Sequence, residues 1–264
     1  MEKWLDNLRH EKIDPMSAAT MVREVVFGGA AVATWGAVYP GAQIFGPSLR
    51  TTGDLNAIAL TFDDGPNPAA TPALLELLER NRAKASFFVM GAHVRAFPQI
   101  AREIALRGHT IGNHTETHPN VTFLSAKILH DELIRCDEAI HLATGLPTRW
   151  MRPPFGFRGP QLDGVVRRMG YAGVAMWSRW MWDWKPQPAQ NVIRRLRRAG
   201  GGDIVLLHDG DHRNPRGERQ HTVKALEYWL PRWKNAGLRF VTVDEVESVL
   251  NPPDAATAIT EKAS

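Results

Sequence analysis

The chain has 264 residues, 44% apolar and 23% charged, which suits one large α/β domain with a substantial core and excludes wholesale disorder. Its net charge of +4, from 32 basic and 28 acidic residues, is too small an excess to argue for a nucleic-acid partner. The single cysteine, Cys136, excludes an intrachain disulfide and leaves the redox compartment open.

Residues 1–20 are polar and mixed in charge, whereas Val25 to Leu49 contains no charged residue and Val25–Val38 is almost wholly apolar or small. Two readings compete for this stretch. It is a signal peptide or membrane anchor, for which a span needs about 20 apolar residues, or a short hydrophobic helix docked on the following domain. Met21-Val22-Arg23 would make a positive leader if translation began there. Export or anchoring, with membrane association through residues 25–39 and a cell-envelope location, is the favoured expectation, and a cytoplasmic location is the other.

From Ala57 onward, short apolar runs alternate with amphipathic ones. Ile58–Phe62, Ala85–Val89, Thr110–Gly112, Ile204–Leu207 and Arg239–Val243 read as strands. Between them, the spacing predicts helices at Thr71–Arg80, Pro98–Arg107, Ser125–Ala143, Gln161–Met169, Ala189–Arg198, His221–Asn235 and Asp244–Leu250. Ser125 and Asp244 are expected N-caps, with stops at Gly108, Gly145, Gly170 and Gly237. The basic run Arg194–Arg198 reads as the solvated face and last turn of a helix ending at Gly200-Gly201-Gly202. Cys136 falls in a helical pattern as a buried, inert thiol. Repeated strand–helix units imply a parallel sheet or barrel, with sites at the strands' C-terminal ends. Three stretches follow: 1–50 as the polar segment and apolar helix or anchor, 51–252 as the catalytic domain, and 253–264 as a flexible tail.

The chemistry concentrates at those strand ends. Asp63 and Asp64 leave the first strand ahead of Gly65-Pro66, which is also good turn chemistry; adjacent side chains there diverge, so one can ligate while the other faces substrate. His114 and His118, four apart, are expected on one side of a single helical turn. Asp64, His114 and His118 together offer the His/His/carboxylate set of a catalytic zinc, and leave Asp63 spare as a base for water. Arg152-Pro153-Pro154-Phe155-Gly156 puts a permanent charge on a stiffened chain. Trp177, Trp180, Trp182 and Trp184 surround Asp183, and the buried strand at Ile204 ends in His208, where a general acid fits.

These five motifs, in this order over about Ala57 to Leu250, resemble the polysaccharide deacetylases that share the NodB homology domain, carbohydrate esterase family 4. The resemblance implies a distorted (β/α) barrel of about seven parallel strands. It also implies a metal-dependent hydrolase that removes N-acetyl groups from amino sugars of peptidoglycan or chitin-like glycans and releases acetate. Carried over, Asp63 is the base and Asp64, His114 and His118 hold one divalent metal, zinc first, with cobalt or nickel possible. Arg152 would hold Asp63 ionised and oriented, the Phe155 amide would face the oxyanion, and His208 would be the acid, oriented by Asp183 with Trp184 packed close by. Phe155 stands where the family commonly has Tyr, and Trp180 where it often has Asp; the latter puts the substrate loop in question.

Blander readings accompany these. At least two of the four tryptophans are expected to be packing and one to touch sugar. His109 and His141 read as structural, His93, His212 and His221 as loop or helix-end residues, and Asp209 and Asp211 as locally bonded turn residues. The competing functions are a deacylase of a lipid-linked amino sugar, a sugar O-acetyl esterase, and a non-catalytic carbohydrate-binding relative.

Overall fold

The computed structural model describes residues 31–250 apart from 33 and 40, with side chains through 247. The expectations for the polar start, for Met21, for residues 25–30 and for the tail lie outside the described residues.

Strand β1 (Ala57–Gly65) is buried along all nine residues and sits at the centre of the sheet. It pairs in parallel with β2 (Ser86–Val89) on one side and β7 (Ile204–His208) on the other. Beyond β2 come β3 (Thr110–Asn113), β4 (Trp150–Met151) and β5 (Gly173–Val174); beyond β7 lies β6 (Arg179–Trp180). The short β8 (Arg239–Phe240) joins the start of β1. Every pairing is parallel, and the seven-strand path β5-β4-β3-β2-β1-β7-β6 curls without a described ladder between its two end strands, where Leu49 bridges to Val174 and Met176 instead. This is the distorted barrel that the resemblance implies.

Period-two alternation sorts β1. Ile58, Leu60 and Phe62 join the core shared with Leu74 and Leu78 of α1 (Thr71–Arg80) and Leu226 of α7 (Gln220–Asn235), while Ala57 and Ala59 join a second core with Met151 and Leu206. Burying a side chain such as Phe62 contributes about 2–3 kcal/mol. The same alternation continues through Thr61 and Asp63, so Asp63 shares the face of the smaller residues at the C-terminal edge.

The long helices lie close to where periodicity puts them. These are α3 (Pro98–Leu106), α4 (Ala126–Thr144), α5 (Leu162–Arg168), α6 (Ala189–Leu196) and α8 (Val243–Leu250). Ser125 caps α4, its hydroxyl accepting from Ile128 N–H, and Gly145 ends it in the left-handed conformation. Three expectations need correction. Helix α6 stops at Leu196, before the glycines, and Arg195 in the basic run turns inward to donate to Met181 O and Gln187. Thr242, not Asp244, caps α8: Glu245 N–H donates to its hydroxyl and Glu245 Oε2 accepts from Thr242 N–H, a capping box. Strands β4, β5 and β6 and the short α2 (Gly91–Ala96) are additional. Cys136 is buried in α4, and burial pushes its thiol pKa well up.

The described part of the N-terminal stretch is helical over 34–38 and docks on the domain. Buried Arg158 donates to Tyr39 O and Ala42 O, and its own N–H donates to Ala37 O. Among the described residues no helix is long and apolar enough to cross a membrane.

Candidate active site

The parallel register brings the C-terminal ends of β1, β3 and β7 together, and with them the residues those strands deliver. Asp63 is the direct register partner of His208 across β1 and β7. Only a residue without a side chain fits beside that junction: a Cβ on Gly210 would fall onto the Asp64 carbonyl.

Past β3 the chain makes a loop, not the expected helical turn. Thr115 and His118 are left-handed, at φ 69° and 59°. The loop is held by side chains: Asn113 Oδ1 accepts from Thr115 N–H, and Thr115 Oγ1 accepts from His118 N–H. Pro119 already disfavours a helical His118. The outcome for the imidazoles is nonetheless convergence. One ligand atom each from Asp64, His114 and His118, all buried, lies within 4.8 Å of the others.

The donor chemistry suits a divalent cation. His114 Nδ1 donates to Arg152 O at 2.8 Å, which leaves Nε2 free to face Asp64 Oδ1 at 3.4 Å; His118 Nε2 faces the same oxygen at 3.1 Å. That Asp64 oxygen is buried and has no hydrogen-bond partner among the described residues. Burial by itself would raise the Asp64 pKa, but the imidazoles of His114, His118 and His212 hold it well below the usual carboxylate range. Burial lowers the His118 pKa, against the pull of Asp64. An ionised carboxylate beside a neutral imidazole is the state a metal requires.

Asp63 stays outside this triad. Its Oδ1 accepts from Arg152 Nη1 at 2.8 Å, with both groups buried. The guanidinium is fixed on all sides: it donates to Thr61 Oγ1, Ala175 O and Met176 O and lies 4.1 Å over the Phe88 ring. Phe155 is left-handed at φ 60°. Gly156 and Phe157 spend their N–H groups on Pro153 O and Pro154 O, whereas the Phe155 N–H makes no hydrogen bond within the turn.

Across the site, His208 Nδ1 donates to Asp183 Oδ1 at 2.9 Å, and the other Asp183 oxygen accepts from His208 N–H and Thr222 Oγ1. Burial would lower the His208 pKa, but Asp183, helped by Asp64 and Asp63, pushes it up to about 9. Asp183 shifts the opposite way: burial raises it, and His208 outweighs burial. Trp184 follows Asp183, its carbonyl accepting from Arg219. Of the four tryptophans only Trp177 is buried, and Trp180 packs beside it with ring centroids 6.3 Å apart. Trp180, Trp182 and Trp184 are 38%, 52% and 38% exposed, and the first two stack at 4.0 Å.

His212 falls in the turn after β7 and His221 at the start of α7, as expected of loop and helix-end residues, but the site engages both. His212 lies against the triad, stacked on His118 at 4.3 Å. His93 and His221 sit in helices but are buried, donating to the Asp64 and Asp183 carbonyls. Asp209 is bonded by distant Thr71 rather than locally, and burial, with Asp64 and Asp63 nearby, pushes its pKa up to about 7. No pattern flagged these residues, because each acts through a neighbour that only folding supplies.

A parallel barrel with a cation-binding triad at its C-terminal edge defines a hydrolase that works with a divalent metal. The sequence pattern described as Polysaccharide deacetylase matches residues 50–174. A chitooligosaccharide deacetylase of Azorhizobium caulinodans is 34% identical over 203 residues, covering 74% of this chain and 96% of that protein. A peptidoglycan-N-acetylglucosamine deacetylase of Bacillus cereus is 35% identical over 195 residues, covering 72% and 87%. The crystal structure of the Bc1960 peptidoglycan N-acetylglucosamine deacetylase superposes with TM-score 0.66 at 33% identity, covering 72% of this chain and 87% of that one. The chain belongs to the polysaccharide deacetylase family.

Proposed function

We propose that this protein hydrolyses N-acetyl groups of amino sugars in a cell-envelope or chitin-like glycan, with zinc at Asp64, His114 and His118. The observation that carries the reading is the pairing of Asp63 with His208 across adjacent strands, one carboxylate clamped by arginine and one histidine held charged, beside the triad.

Asp64, His114 and His118 would hold the zinc, which when bound would lower the pKa of a water toward 7 and polarise the amide carbonyl. Asp63, oriented by Arg152, takes the proton of the attacking water. The Phe155 N–H donates to the oxygen that becomes negative, an interaction worth about 3 kcal/mol when such a donor is removed. His208, kept protonated by Asp183, gives its proton to the departing nitrogen, so acetate and a free amine leave. The exposed Trp180–Trp182 stack beside Asp183 supplies an apolar face for the sugar. Relatives that act on peptidoglycan and on chitooligosaccharides share the N-acetylglucosamine unit, and this favours a location at the envelope.

The test is acetate release from chitin oligomers and from peptidoglycan, with chelator and then zinc, cobalt or nickel added back. Release that stops on chelation and returns with metal is expected. Release indifferent to the chelator contradicts the mechanism. Turnover of an O-acetylated or lipid-linked sugar alone moves the substrate elsewhere, and an inert protein with metal bound identifies a binding relative.

A further inference from the structure

Metal-ligating histidines normally donate their second ring nitrogen to a carbonyl or carboxylate, which fixes the ring. His114 does so, through Arg152 O. His118 does not: its Nδ1 is buried and has no hydrogen-bond partner among the described residues. Its ring is held instead by other rings. His212 stacks on one face at 4.3 Å and 14°, and Phe155 meets it edge-on at 4.6 Å and 76°. Phe155 and His212 also contact each other, at 5.7 Å and 82°, which closes an aromatic box around the ligand.

We propose that His212 is a positioning residue for the metal ligand His118, fixing that ring by stacking where no hydrogen bond does so. The tautomer argues against His212 as a fourth ligand. Arg213 Nε donates to His212 Nε2 at 3.2 Å, so the ring proton lies on Nδ1, the atom that faces Asp64 Oδ2 at 3.7 Å. A protonated nitrogen has no lone pair for a cation. His212 also lies outside the group whose ligand atoms are mutually within 4.8 Å. Three protein ligands without His212 would leave a bound cation room for water and substrate, as catalytic metal sites do. His212 closes the box from the turn after β7, which ties the His208 strand to the metal-binding loop after β3.

The inference rests on the triad holding a metal, and the experiment separates the two. Zinc affinity is measured by chelator competition for the wild-type protein, His212→Ala and His212→Phe, with melting of each metal-free protein as a check on folding. His212→Ala is expected to bind zinc at least about tenfold more weakly, and His212→Phe, which keeps the ring, to recover to within about threefold of wild type. Cobalt absorption spectra of wild type and His212→Phe should share one coordination pattern. Equal zinc affinity in wild type and His212→Ala overturns the proposal. So does a His212→Phe variant as weak as His212→Ala, or one whose cobalt spectrum changes, because the imidazole itself then matters. A wild-type protein that binds no zinc overturns the metal reading instead.

Discussion

Replacing Asp183 with Asn isolates the electrostatics of the acid. The buried Asp183 carboxylate accepts from His208 Nδ1–H, from His208 N–H and from Thr222, and it pushes the His208 pKa up to about 9 against a burial effect of opposite sign. Asn keeps the shape but removes the charge, so the pKa returns to the ordinary value of about 6.5 or below, a difference worth about 3 kcal/mol at 1.36 kcal/mol per pH unit. At pH 8 the protonated fraction then falls from roughly nine-tenths to a few hundredths, so kcat/KM for acetate release drops at least ~30-fold. Measured across pH, the alkaline limb should move from about 9 to 6.5 or lower. Stability follows the same sign. A raised histidine pKa contributes fully below about 6.5 and is lost as pH rises through about 9, so the wild-type melting temperature should fall across that window and that of Asp183→Asn should not. An Asp183→Asn enzyme whose alkaline limb stays near 9 refutes this reasoning.

Two further substitutions probe the frame of the site. Arg152→Ala strips the buried partner from Asp63 and should cost about 3–5 kcal/mol in denaturant unfolding, because the charge left behind is uncompensated; a cost below 1 kcal/mol would show that the clamp is not structural. Gly210→Ala places a methyl on the Asp64 carbonyl and should lower both melting temperature and zinc affinity, and an unchanged affinity would show that β1 and β7 have room to part.

The legible parts of the fold were those that bury long segments. The run Ile58–Phe62 announces a central strand because both faces are covered, and α4 declares itself through Ser125, its apolar spacing and Gly145. Strands of two residues, such as Trp150–Met151 and Arg179–Trp180, carry no period; they form because a neighbour's edge recruits them. The capping box Thr242–Glu245 is present in the sequence, but the adjacent Asp244, a stronger N-cap type, masks it. In the site, the candidate ligand set stands out in the sequence because Asp64, His114 and His118 are a recognisable donor combination, and folding brings them together. The conformation that joins them does not stand out, because the left-handed Thr115 and His118 are held by side-chain bonds from Asn113 and Thr115 rather than by helix propensity. His212 was opaque for the same kind of reason: its meaning is a stack on a residue 94 positions away in sequence (212 minus 118).

The division of labour between adjacent aspartates is tested most directly by Asp63→Asn, assayed side by side for bound zinc and for acetate release. Asp63 is outside the triad, so the variant should retain one equivalent of zinc while losing turnover by about 10²–10⁴-fold. Loss of the metal together with the activity, or turnover at the wild-type rate, would contradict the account.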